Sequence, residues 1–183
     1  MPWSVALPQE LFASPILSVL TPITTGSLVG YLVNRRGTKK TYKSLKQPPF
    51  YPPAWLFAPA WTMLYGMMGY AAHHATMTGL AASSSPIVRD ITITSQALYT
   101  SQLVLNFLWM PLFFGLRRPG WALGDILLLG ANVGVLLRSW WKTDRTAFWL
   151  MVPYGLWLGY ATYLNASIGV LNRWTIGENE KEE

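Results

Sequence analysis

The sequence predicts an all-α integral membrane protein built as a single bundle of five transmembrane helices. Three observations carry this reading. Apolar residues make up 51% of the 183 residues and charged residues only 12%, about half the roughly 25% typical of soluble domains. The charges are clustered, so that residues 11–34, 47–88, 91–116 and 146–172 contain none and 119–137 contains only Asp125. Gaps of that size reach the roughly 20 residues, at about 1.5 Å rise each, that cross a hydrocarbon core about 30 Å thick. The runs are also apolar on all sides, whereas barrel strands alternate in units of about ten residues. Helices remain, because backbone in lipid must satisfy its own polar groups.

The first span is expected near 13–33. The second, near 54–75, follows Gln47-Pro48-Pro49-Phe50-Tyr51-Pro52-Pro53, a run that cannot be helical throughout because proline lacks the N–H and clashes backwards. A polar, Ser/Thr-rich loop over 76–95 leads to a third span near 96–115. The fourth lies near 120–140 and the fifth near 147–171, before a flexible acidic tail over 173–183. Pro22, Pro59 and Pro153 fall inside spans, where neighbouring helices can satisfy the freed carbonyls. Small residues four apart, at Gly26/Gly30, Ala97/Ser101, Gly130/Gly134 and Gly155/Gly159, permit close helix contact and a homodimer without saying which face would form it.

Orientation follows from the loop cations. Arg35, Arg36, Lys39, Lys40, Lys43 and Lys46, with Arg117, Arg118, Arg173 and Lys181, give ten on one side, against Arg89, Arg138, Lys142 and Arg145 on the other. The first loop and the C-terminus are therefore expected on the cytosolic side. The first 34 residues hold no Lys or Arg, so no cleavable leader is expected. Topology explains the basic first loop without an anionic ligand, and no nucleic-acid partner is expected.

Few residue types remain for chemistry. The absence of Cys removes thiolate catalysis and Cys-type zinc sites. Adjacent His73 and His74 cannot both ligate from one helix face, so no metal is expected. Asp125, the one carboxylate inside a span, is expected near its helix start, facing protein and held by a structural hydrogen bond. Of ten tryptophans, Trp3, Trp140, Trp141 and Trp174 sit at span ends and read as interfacial belt residues. Others share helix faces with polar groups: Trp61 with Tyr65, then Gln102, Asn106, Trp109 and Phe113, then Tyr154, Trp157, Ala161 and Leu164. Such faces either enclose a flat apolar ligand or pack on each other as an aromatic core. Gln102, Asn106, Asn132 and Asn165 read as interhelical hydrogen-bonding groups.

The run Leu45-x-x-Pro48-x-x-x-Pro52-Pro53-x-Trp55, then Pro59-x-Trp61-x-x-Leu64-Tyr65-x-x-Met68-Gly69-Tyr70, resembles the translocator protein / tryptophan-rich sensory protein family. So do Leu98-Tyr99-Thr100-x-Gln102-Leu103-x-Leu105-Asn106, Trp109-x-Pro111-x-Phe113-Phe114-Gly115, Gly120-Trp121-Ala122-Leu123-x-Asp125, Pro153-Tyr154-x-x-Trp157 and Ala161-Thr162-x-Leu164-Asn165. The resemblance spans roughly residues 20–172.

It implies a five-helix bundle, commonly dimeric, with a pocket among the helices and the Pro48-to-Pro53 loop as lid. The ligand would be protoporphyrin IX or a heme-like tetrapyrrole, with sterols and benzodiazepine-type compounds as further candidates and no cofactor required. Matching pocket positions are Trp55, Trp61, Tyr65, Asn106, Trp109, Trp121, Tyr154, Trp157 and Ala161. The functions implied are transport, buffering or stress signalling. Trp61 and Trp157 match tryptophans reported to act in oxidative porphyrin degradation, the catalytic alternative; a structural membrane protein is the third. The family occupies bacterial outer, mitochondrial outer and plant secretory membranes, and the resemblance to animal members implies the mitochondrial outer membrane if the protein is eukaryotic. Two departures stand out: Thr41-Tyr42 where many members have Trp-Tyr, and Phe50 in place of a Trp. The cholesterol motif is absent, since Tyr160 and Tyr163 precede no Lys or Arg before Arg173.

Overall fold

The computed structural model describes residues 6–34 and 38–176 and is all-helical among them. Trp3, Arg35, Arg36 and the acidic tail beyond Ile176 lie outside the described residues, and the side chains of Lys39 and Lys40 are likewise not described. Two short helices, α1 (Gln9–Ala13) and α3 (Thr38–Ser44), accompany five long ones: α2 (Pro15–Asn34), α4 (Phe57–Gly79), α5 (Pro86–Met110), α6 (Pro119–Thr143) and α7 (Arg145–Leu171). A π-helical turn, Pro111–Gly115, continues α5. Pro15–Asn34, Pro86–Gly115 and Pro119–Thr143 are long and apolar enough on their own to cross a membrane. Helices α4 and α7 have 23 and 27 residues, hence about 34 and 40 Å of length. Their composition is diluted by His73 and His74 in one and by Tyr154, Tyr160, Tyr163 and Asn165 in the other.

The long helices pack in the spatial order α2, α4, α7, α6, α5, with α5 leaning more lightly on α2 and α4. Large apolar side chains such as Ile16, Leu28, Met63, Val104, Leu128, Leu156 and Val170 are exposed on the outside. Continuous apolar surface of this kind needs a hydrocarbon partner.

Two expectations about ends are corrected. The 76–95 loop is confined to 80–85, because α4 runs on to Gly79 and α5 starts at Pro86. Ser85 caps α5 through Val88 N at 3.4 Å, with Pro86 in the first turn. The polar residues that read as loop lie against α4: Thr92, Ser95 and Gln96 are buried, and Gln96 Nε2 donates to Thr76 Oγ1 at 3.2 Å. Trp140 is also no belt residue. It is 2% exposed and lies beside Tyr99, with ring centroids 6.5 Å apart.

Close contact between α2 and α4 rests on a proline and a glycine. Pro22 removes the N–H that the Ser18 carbonyl would otherwise accept. A Cβ placed on Gly69 would collide with that same Ser18 oxygen and lie 2.8 Å from Val19 Cα. Only glycine admits this approach.

Candidate functional site

A cavity of about 480 Å³ opens between the helices where α5 stands off from α2 and α4. Every long helix contributes: Gly26 and Gly30 from α2, Trp61 and Tyr65 from α4, Asn106 and Trp109 from α5, Leu129 from α6, Trp157 and Ala161 from α7. Thr38 and Tyr42 of α3 and Ala54 of the turn that follows close one end.

Six of the nine expected pocket residues meet on this wall: Trp61, Tyr65, Asn106, Trp109, Trp157 and Ala161. Three do not. Tyr154 is fully buried one layer behind, while Trp55 and Trp121 are 71% and 74% exposed on the outer surface. Both sit at helix starts, where helical spacing alone cannot tell the inner face from the outer.

The rings form two groups, one around Trp61 and one around Trp109. Trp61 lies 5.2 Å from Tyr65, 6.0 Å from Trp157 and 6.2 Å from Tyr154 between centroids. Phe57 meets Trp157 edge-on at 6.2 Å, and Trp109 stacks on Phe113 at 5.0 Å. Edge-to-face and offset contacts of this range are favourable beyond their area.

The amides behind the rings are fully engaged. Tyr65 donates to Asn106 Oδ1 at 2.8 Å, and Asn106 Nδ2 donates to Tyr154 at 2.9 Å. Trp109 Nε1 donates to Asn165 Oδ1 at 3.0 Å, and Asn165 Nδ2 donates to the Pro119 carbonyl at 2.9 Å. They tie α4, α5, α6 and α7 together, as interhelical hydrogen bonds do. Among the described residues no wall residue carries a formal charge. Asp125 is 8% exposed and faces protein, but its Oδ2 has no partner among the described residues, so the expected hydrogen bond is absent there.

Sequence reasoning missed several wall residues, among them Phe57, Phe107, Phe114 and the α2 face at Ser27 and Val29. Gly26 and Gly30 were the available signal, since small residues on one helix face leave room for something. Tyr42, named in the sequence only beside the Thr41 departure and not as a pocket residue, lines the cavity and donates to the Pro52 carbonyl at 2.9 Å. Burial, followed by the neighbouring Tyr160 and Tyr51 phenols, pushes its pKa up to about 12, so it remains a hydrogen-bond donor at all ordinary pH values.

The TspO/MBR family model matches residues 18–171. The chain belongs to the TspO/MBR family. Among its relatives, the translocator protein homolog of Schizosaccharomyces pombe is 43% identical over 154 residues, covering 84% of this chain and 88% of that protein. The translocator protein of Bos taurus is 38% identical over 140 residues, 76% of this chain and 79% of its own. The tryptophan-rich protein TspO of Chlorobaculum tepidum is 35% identical over 131 residues, covering 72% and 78%. With its membrane-spanning helices, this TspO/MBR member is an integral membrane protein.

Proposed function

We propose that the cavity binds a flat, largely apolar ligand, a tetrapyrrole of the protoporphyrin type, and that the protein moves or buffers it across or within the membrane. The observation that carries this reading is the wall itself: about 480 Å³, within the roughly 300–1,000 Å³ of small-molecule sites, faced with indole and phenyl rings and, among the described residues, free of charge. The engaged amides hold the shape, leaving stacking as the main source of affinity. Sterols and benzodiazepine-type compounds are further candidates on the same apolar grounds, without a cholesterol motif. In this reading all five long helices cross the bilayer. The first loop and C-terminus face the cytosol on the charge count, and the family resemblance favours the mitochondrial outer membrane and a homodimer.

Titration of purified protein with protoporphyrin in darkness tests the reading. Saturable quenching at one site per chain, with an unchanged porphyrin spectrum, is the expected result. Failure to saturate would overturn it.

One contact favours a second reading, oxidative degradation of the bound porphyrin. Trp61 and Trp157, both oxidisable, stand edge to face at 6.0 Å on the wall. Illumination of the saturated complex separates the two: a new product band supports degradation, and an unaltered spectrum supports binding alone.

A further inference from the structure

Three phenols from two elements end on the backbone carbonyls of one short segment. Tyr42 donates to Pro52 O at 2.9 Å, Tyr160 to Phe50 O at 2.7 Å and Tyr163 to Pro49 O at 3.0 Å. The segment, 45–53, joins α3 to the turn Ala54–Leu56, and both of these supply cavity wall. Four of its nine residues are proline, so it has few N–H donors and cannot organise itself as helix or ladder. Phe50 adds a positive φ of 63°, unusual for a bulky residue. Its anchors must therefore come from side chains elsewhere. At its near end Asn172 brackets Lys46, accepting from the Lys46 N–H and donating to its carbonyl, both at 3.0 Å. At the centre, among the described residues, its hydrogen bonds to α7 come from the Tyr160 and Tyr163 phenols.

We propose that Tyr160 and Tyr163, assisted by Tyr42, form a latch that holds the 45–53 segment closed against that end of the cavity and sets how fast the contents exchange. This rests on the reading of the cavity as a ligand site. The two α7 phenols do not line the cavity; they are positioning residues that act through the segment. Tyr160 also touches the wall residue Trp157, with ring centroids 5.8 Å apart, which places the latch next to the contents it retains. A latch made the same way with the cavity empty or filled changes entry and exit by one factor. The equilibrium affinity then stays where it was.

Tyr→Phe keeps each ring and removes only the donor. From the ordinary worth of such a hydrogen bond, each loss should raise the open fraction about three- to fivefold, and the pair roughly ten- to thirtyfold. Because the chain contains no Cys, Phe50→Cys carries a single nitroxide at an exposed side chain. Protoporphyrin association and dissociation would be followed by stopped flow in detergent, alongside the label's spectrum, for the parent chain, Y160F, Y163F and the double variant. The expected result is a more mobile label, both rates raised by the factors above, and a Kd within about threefold of the parent. The single variants decide the matter if the double variant does not fold. Unchanged rates overturn the latch, whether or not the label gains mobility. Lost affinity with an immobile label also overturns it, making the phenols part of the wall. If the parent does not bind protoporphyrin at all, the ligand reading falls; the label then decides separately whether the phenols hold the segment, and an unchanged spectrum ends the latch.

Discussion

Trp157 touches three rings at once, Phe57 at 6.2 Å, Trp61 at 6.0 Å and Tyr160 at 5.8 Å, while lining the cavity. Replacing it with Phe keeps most of the stacking area and removes the indole. Porphyrin affinity is expected to fall by about 1 kcal/mol, the scale of one aromatic contact. Any light-dependent porphyrin loss should fall much further; equal rates in Trp157→Phe, Trp61→Phe and the parent would remove these indoles from the chemistry. Asp125 behaves differently. It is buried, its Oδ2 is unpaired among the described residues, and it does not line the cavity. A neutral isostere removes a charge that the membrane disfavours. Asp125→Asn should therefore raise the detergent melting temperature and leave porphyrin affinity unchanged. A clear fall in melting temperature would mean that the carboxylate has a stabilising partner after all. The sequence marked Asp125 as facing protein correctly, because a lone carboxylate in a span has few alternatives. It could not supply the partner, which depends on neighbours from other helices.

At the scale of helices, the joint between α6 and α7 is a single residue. Asp144 closes α6, accepts from Ala147 N at 3.0 Å as the cap of α7, and its Oδ2 meets His74 Nδ1 at 2.6 Å. The neighbouring His73 holds the Phe12 carbonyl at 2.7 Å. Asp144→Ala loses a cap and an interhelical bond together, so destabilisation of about 2 kcal/mol is expected. His74→Ala should cost about half of that, read from thermal unfolding in the same detergent. Gly69→Ala drives a methyl into the α2 backbone, and overpacking of this kind costs about 1–3 kcal/mol. Wild-type stability in Gly69→Ala would show that α2 and α4 can separate freely. These contacts also mark what could be read in advance. The charge gaps located all five long helices but placed the start of α5 ten residues late, because such gaps record depth in lipid rather than helix length. The small-residue pairs were a mixed guide: Gly26 lies tight against the Tyr65 ring, but Gly30, Gly130, Gly134 and Gly159 have open space over them, and the tight approaches at Gly69, Gly79 and Gly169 fall outside the pairs. Glycine pairs are visible in sequence, but the surface lying opposite is not.

For the molecule as a whole, the described cations lie outside the cavity rather than on its wall. Among the described residues the wall has no cation, while Lys43 lies on α3, which supplies Thr38 and Tyr42 to the wall, and Lys46 on the basic segment that follows it. A porphyrin diacid seated among the rings has to direct its carboxylates out of the cavity, toward that basic segment. Protoporphyrin affinity is thus expected to weaken severalfold between low and high salt, while the dimethyl ester shows almost no salt dependence. Equal salt responses would place the carboxylates elsewhere. Part of the wall was legible: Trp61 and Tyr65, Asn106 and Trp109, and Trp157 and Ala161 share helix faces at helical spacing, and the family resemblance marked them as pocket positions. The contribution of α2 was not, since Ser27 and Val29 resemble any apolar span until the bundle is assembled.

That assembly has a consequence for timing. Trp157, Leu158, Ala161, Leu164, Asn165 and Ile168, a large share of the wall, come from α7, the last long helix to leave the ribosome. A nascent chain therefore has no complete chamber until α7 has been made, and whatever enters afterwards favours the docked bundle over partly docked forms by mass action. Cells starved of the ligand would hold a larger fraction of loosened chains exposed to proteolysis. If the cavity takes the proposed ligand, the steady-state amount of the protein is expected to rise with ligand supply.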